Sequence, residues 1–130
     1  MVVGEATIET QVAVIGGGPG GYAAAFRAAD LGLEVTLIEE EERLGGVCLL
    51  RGCIPSKTLL YLTNLIYDAG RAGGMGVRFE PPSIDLQGVR AWKDGVIHRL
   101  TGGLATLSQK RDVQRIQGRA TFESARELRV

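Results

Sequence analysis

The chain reads as an α/β domain built on a parallel sheet, and three observations lead there. An apolar, β-branched run at residues 10–15 passes directly into Gly16-Gly17-Gly18-Pro19-Gly20-Gly21. An alanine-rich stretch with helical character follows. A second apolar run then occupies residues 34–39. Strand, glycine turn, helix and strand within about thirty residues make a βαβ unit, whose two strands lie parallel.

Taken in order, Val12, Val14 and Ile15 give the first run its strand character. Residues 22–31 form the helix, with Gly32 at its C-terminal stop and small side chains suited to lying close on a sheet. Val35, Thr36, Leu37 and Ile38 form the second buried strand, ending at Glu39. Residues 45–52 read as loop. Pro55 then suits the first turn of a new helix, where no amide donor is needed, and this helix runs to about Ala69. Residues 70–76 read as a connection and residues 77–79 as a short extended piece. A long amphipathic helix is expected from about Asp85 to Arg111, because Leu86, Val89, Trp92, Val96, Ile97, Leu100, Leu104 and Leu107 recur at three- and four-residue steps. Gly102 and Gly103 inside it cost roughly 1 kcal/mol each against alanine, so a close backbone or cofactor approach is expected there. Residues 113–117 suit a third parallel strand, and residues 120–122 and 128–130 the arms of a hairpin.

Composition bounds the function. A length of 130 residues suits one domain with one core. Hydrophobic residues make up 45%, enough for a globular core, and fifteen basic side chains cancel fifteen acidic ones. Without a strong field, neither nucleic acid nor a membrane surface is an expected partner. No apolar run is long enough to span a bilayer. The opening Met1-Val2-Val3-Gly4-Glu5 has neither signal-peptide nor transit-peptide character, so a cytoplasmic setting is expected.

Each glycine of the turn has a physical task. Gly16 permits the tight turn off the strand, Gly18 lets a pyrophosphate approach the backbone, and Gly21 lets the helix pack on the strand. The helix start offers free N–H groups and a positive dipole end to phosphates. Glu39, 18 residues beyond Gly21, is placed to accept hydrogen bonds from the two hydroxyls of an adenosine ribose. A tight turn without a ligand is the alternative, and the strand, helix and acid around it argue against that. These residues do not decide between NAD and FAD. Glu40, Glu41 and Glu42 read as a solvated turn.

Cys48 and Cys53 are the only two cysteines, and four residues separate them. With a helix starting near Ile54, Cys53 sits at its mouth and Cys48 on the approach, with Gly52 relaxing the backbone between. A thiolate at a helix N-terminus gains roughly 0.3–1 kcal/mol from the dipole, which lowers its pKa, and Arg51 is expected to add to this. A structural staple across so short a loop stabilises little, and reducing conditions would open it. A closed zinc site needs four ligands, and the single histidine, His98, falls on the long helix among exposed positions, so no metal is expected.

The series of glycine turn, Glu39, Gly45-Gly46-Val47-Cys48 and Gly52-Cys53-Ile54-Pro55-Ser56-Lys57 resembles the flavin-dependent pyridine nucleotide-disulfide oxidoreductases. Within them it is most similar to the dihydrolipoamide dehydrogenase branch, on Cys53-Ile54-Pro55-Ser56-Lys57, Trp92-Lys93 and Leu100-Thr101-Gly102-Gly103-Leu104. The resemblance implies a Rossmann-like FAD-binding domain, here its N-terminal portion, with FAD as cofactor. It implies that NAD binds outside this stretch and that dimer-interface residues elsewhere supply an acid–base pair. Cys53 would face the flavin and form the charge-transfer thiolate, Cys48 would exchange with dihydrolipoamide, and Lys57 would lie near the flavin nitrogen that receives hydride. Gly16, Gly18, Pro19, Gly20 and Gly21 would hold the pyrophosphate, and Glu39 the ribose. Gly45, Gly46, Val47 and Gly52 would line the flavin side, and Gly118, Arg119 and Ala120 the adenine portion. The implied partners are the lipoyl group of a 2-oxo acid dehydrogenase complex and a second copy in a homodimer. Leu50 and Arg51 depart from the asparagine and small apolar residue usual in the family. A glutathione- or mercuric-reductase-like enzyme and a non-catalytic FAD-binding fragment are the alternatives.

Overall fold

In a computed structural model, which describes residues 6–130, Val12–Ile15 (β1), Val35–Glu39 (β2) and Gln114–Gln117 (β3) form one parallel sheet in the order β1-β2-β3. The register pairs Val12 with Val35 and Ile15 with Ile38 on one side of β2, and Thr36 with Gln114 and Glu39 with Gln117 on the other. With both edges paired, β2 is buried from Val35 through Ile38. An apolar run without alternation is what a strand covered on both faces requires. The expected third strand therefore forms and lies beside β2. The reading of residues 1–5 falls outside the described residues.

The first helix, α1, spans Pro19–Asp30 and starts three residues earlier than the alanine run suggested. Pro19 takes the first helical position, where its missing N–H is no loss. A Cβ at Gly21 would overlap the carbonyl oxygen of Gly16, so only glycine lets the helix leave the strand this tightly. Ala25 and Phe26 of α1 join Val35, Leu37, Leu44, Ile97, Leu104 and Val113 in the core.

Residues 45–52 correct the expectation of a loop. Gly46–Leu50 forms a short helix, α2. Its entry needs positive φ at Gly45 (133°) and Gly46 (58°), and buried Leu49 anchors it. A third helix, α3, spans Cys53–Arg71, with Gly52 as N-cap, and a 3-10 turn at Ala72–Met75 replaces most of the expected connection. Residues 77–79 form no strand. Val77 and Phe79 stand exposed without a partner strand, where water can satisfy their backbone.

The long helix, α4, spans Leu86–Lys110, and the Asp85 carboxylate caps it by accepting from the Gln87 N–H at 2.9 Å. Arg111, just beyond α4, donates to Asp30 Oδ1 at 2.9 Å and lies 5.3 Å over the Phe26 ring, tying the end of α4 to α1. Apart from the neighbouring backbone of α4 itself, nothing described comes within 4 Å of a Cβ built at Gly102 or Gly103, so no close approach by another described segment explains them. Thr121–Phe122 (β4) and Leu128–Arg129 (β5) pair as the expected antiparallel hairpin.

Candidate functional site: a glycine cradle beside a thiol pair

The C-terminal ends of the three parallel strands point to one edge of the sheet, where open α/β sheets bind their ligands. Gly16 follows β1, Glu39 ends β2 and Gly118 follows β3. The Gly118 N–H donates to the Glu39 carbonyl at 3.0 Å, which sets Gly118 beside the strand-end acid. Ala120 lies two residues further, half-buried.

The cradle is built mainly from backbone. The Gly45 N–H donates to the Gly17 carbonyl at 2.8 Å. A Cβ at Gly46 would come within 2.7 Å of the Gly18 Cα, so the two glycine segments pack backbone to backbone. On its open side the turn is clear: beyond the adjoining backbone of α1, nothing described lies within 4 Å of a Cβ at Gly20, and a Cβ at Gly18 meets only the Gly46 Cα at 3.9 Å. Gly18 caps α1 without a side chain, and the first turn of α1 holds no acid. A helix start with no side-chain cap and open space beside Gly18 and Gly20 suits a pyrophosphate.

Glu39 is already engaged. Its Oε2 accepts from the Gly17 N–H at 2.5 Å and its Oε1 from the Glu41 N–H at 2.9 Å. A carboxylate has about four acceptor positions, so two remain for ribose hydroxyls. Sequence reasoning missed this second duty, and it missed Leu44. That side chain is fully buried, with Cδ2 2.6 Å from where a Gly17 Cβ would stand. An apolar residue directly before Gly45-Gly46 was the available signal for Leu44.

The cysteines meet where α2 hands over to α3. Cys53 is the first residue of α3 and is exposed, Cys48 is half-buried on α2, and both are free thiols. Hydrogen bonding to the Cys53 side chain holds the Cys48 thiol above its ordinary pKa, and partial burial and the Cys53 charge act in the same direction. A backbone hydrogen bond from Cys53 opposes them. The two thiols thus flank the short junction between α2 and α3, Cys48 on one side and Cys53 on the other. Arg51, between them in sequence, forms an exposed ion pair, its Nη2 2.6 Å from Glu41 Oε1. Glu40, Glu41 and Glu42 are all exposed, as a solvated turn requires, and Glu41 carries this surface ion pair.

Lys57 stands one helical turn after Cys53, on the same side of α3, and is exposed. With Ile54, Thr58, Tyr61, Trp92, Val96 and Leu100 it lines an open, mainly apolar groove of about 290 Å³ between α3 and α4. Val47 is exposed on α2, and Pro19 is exposed at the start of α1. His98 is exposed on α4, and among the described residues no three His, Cys, Asp or Glu side chains gather. No helix of the described residues is long and apolar enough to cross a membrane.

A parallel α/β sheet with a glycine cradle at its ligand edge and a thiol pair beside that cradle defines a dinucleotide-binding domain of redox type. The chain belongs to the pyridine nucleotide-disulphide oxidoreductase family, whose model matches residues 10–129. Among curated relatives, dihydrolipoyl dehydrogenase of Buchnera aphidicola subsp. Schizaphis graminum is 51% identical over 117 residues, 90% of this chain and 25% of the relative. That of Haemophilus influenzae is 50% identical over 121 residues, 93% of this chain and 25% of the relative. Dihydrolipoyl dehydrogenase 2 of Haloarcula marismortui is 48% identical over 130 residues, all of this chain and 27% of the relative. The chain thus spans about a quarter of the length of the curated relatives it matches.

Proposed function

We propose that this chain is the N-terminal part of the FAD-binding domain of a dihydrolipoamide dehydrogenase. The observation that carries the reading is the meeting of the Cys48–Cys53 pair with the Gly16–Gly21 cradle through α2, whose first residue packs on Gly18. The relatives' printed names support the choice of substrate. Gly18, Pro19, Gly20 and Gly21 would hold the pyrophosphate of FAD, Glu39 and Gly118 to Ala120 the adenosine, and Gly45, Gly46, Val47, Gly52 and Lys57 the flavin portion. FAD, when bound, supplies a two-electron acceptor for the reduced cysteine pair.

The chain's own chemistry is thiol–disulfide exchange. A thiolate of dihydrolipoamide attacks the Cys48 sulfur of the Cys48–Cys53 disulfide. A substrate–Cys48 bond forms as the Cys48–Cys53 bond breaks, and Cys53 leaves as thiolate. The second substrate thiol, as thiolate, then attacks its neighbour, closing the cyclic disulfide of lipoamide and releasing Cys48, which takes up a proton. Two electrons have passed from substrate to the cysteine pair. The elevated pKa of Cys48 favours the protonated end state. In the intact protein NAD would take the electrons onward at residues outside this stretch. The substrate would be the lipoyl group of a 2-oxo acid dehydrogenase complex, and the protein would act as a homodimer.

Cys53→Ser in the full-length protein is expected to abolish dihydrolipoamide oxidation, by at least about a thousandfold in kcat, because without the Cys53 sulfur no disulfide forms for the substrate thiolate to open. Retained turnover would sink the proposal. Comparing dihydrolipoamide with glutathione as substrate separates it from a glutathione-reductase-like activity.

A further inference from the structure

Three polar contacts run in series from the glycine turn to the segment between the cysteines. The Gly17 N–H donates to one oxygen of Glu39, and the other oxygen accepts from the Glu41 N–H. The Glu41 carboxylate accepts from Arg51. Arg51 caps α2, donating its own N–H to the Val47 carbonyl at 2.9 Å, three residues after Cys48 and two before Cys53.

Glu41 is a fixed anchor rather than a free surface acid. Its turn is also held from β3, because Arg115 donates to the Glu42 carbonyl at 3.1 Å and Gln117 to the Glu40 carbonyl at 3.5 Å. On the other side of the ion pair, only Arg51 and Gly52 connect α2 to α3. A pivot of α2 at that junction moves Cys48 against Cys53. Disulfide geometry tolerates little such movement, since the Cα atoms must stay within roughly 4.4–6.8 Å.

We infer that Arg51 is a positioning residue for the Cys48–Cys53 pair, anchored through Glu41 to the carboxylate that faces the nucleotide cradle. The inference rests on the proposed redox role of the pair but not on its substrate. The ion pair is exposed, with 60% of the Arg51 and 45% of the Glu41 side chain accessible, so its removal leaves the core intact and its effect is modest.

The test is the dithiol–disulfide equilibrium of the full-length protein in glutathione buffers, read by thiol alkylation and mass spectrometry with no lipoamide present. Arg51→Ala and Glu41→Gln are each expected to shift the equilibrium towards the dithiol by about two- to fivefold, or ~10–20 mV. The double variant is expected to shift no further than either single one, because both break the same contact. Arg43→Ala, an exposed arginine in the same turn, is expected to leave the equilibrium unchanged. Unchanged equilibria in both singles would overturn the inference. Shifts in opposite directions would also overturn it, since they would report charge alone, and so would additive shifts in the double variant. Because lipoamide is absent, failure here is distinct from failure of the proposed activity.

Discussion

The nucleotide cradle and the thiol junction adjoin, yet they are held in different ways. The cradle rests on β2, buried from Val35 to Ile38, on fully buried Leu44 and on backbone contacts of Gly17 with Gly45, Gly18 with Gly46 and Gly16 with Ile38. The thiol junction stands on α3, which over 19 residues buries only Thr58, and on a five-residue helix anchored by Leu49. Much of α3 and α4 is apolar and open, including Leu60, Tyr61, Leu65 and Trp92. The difference matches the two tasks. A phosphate cradle must be rigid before its ligand arrives, so that little ordering entropy is lost on binding. A pair that exchanges a bond must let two sulfurs move between contact and covalent distance.

Leu44→Ala should break the comparison most strongly. Leu44 is 1% exposed and wedges between the turn and the start of α2, so truncation leaves a cavity under the cradle. The expected cost is about 2–5 kcal/mol in chemical denaturation. Leu65→Ala, on the open face of α3 at 58% exposure, should cost no more than about 0.5 kcal/mol. Equal costs at the two sites would mean that α3 is as firmly held as the sheet edge.

Glu39→Gln sharpens the comparison from within the cradle. Both carboxylate oxygens accept backbone N–H groups, and glutamine replaces one acceptor with a donor. One N–H then faces another, and the charge-assisted part of both bonds is lost, about 1.5–3 kcal/mol in all. Weaker FAD affinity by roughly ten- to a hundredfold is expected in a fluorescence titration. An unaltered affinity would remove Glu39 from the adenosine site and leave it the task of holding the turn.

How much of this was legible in the residues follows from how local each signal is. The βαβ unit could be read because its glycines, alanines and β-branched runs each act over a few positions. The third strand and the hairpin were likewise visible. The helix α2 was hidden because five residues carry no helical period, and its two leading glycines suggest a loop until tertiary packing fixes their positive φ. The Arg51–Glu41 pair was also hidden. Three successive glutamates offer themselves, and only the fold, through Glu39 and β3, selects the middle one. The cysteine pair was legible as a pair. The raised pKa of Cys48 was not, because it depends first on the Cys53 side chain beside it.

The smallest expected effect concerns that perturbed thiol. The Cys48 pKa is raised above the ordinary 9.0, first through the Cys53 side chain. Only the thiolate alkylates, so in the reduced protein the rate–pH curve of Cys48 should lie to the alkaline side of a free cysteine. Linkage has the same sign. A folded-state pKa above the unfolded one means that the folded chain holds the proton more tightly. The associated stabilisation is complete below pH 9.0 and is lost as pH rises through the folded-state pKa. Cys53→Ala removes the largest cause and leaves partial burial, so the Cys48 curve should move back towards neutral pH without reaching the free-cysteine curve. A curve that stays in place would assign the shift to burial rather than to the Cys53 side chain, and the junction would then be more closed to solvent than the open side of the cradle beside it.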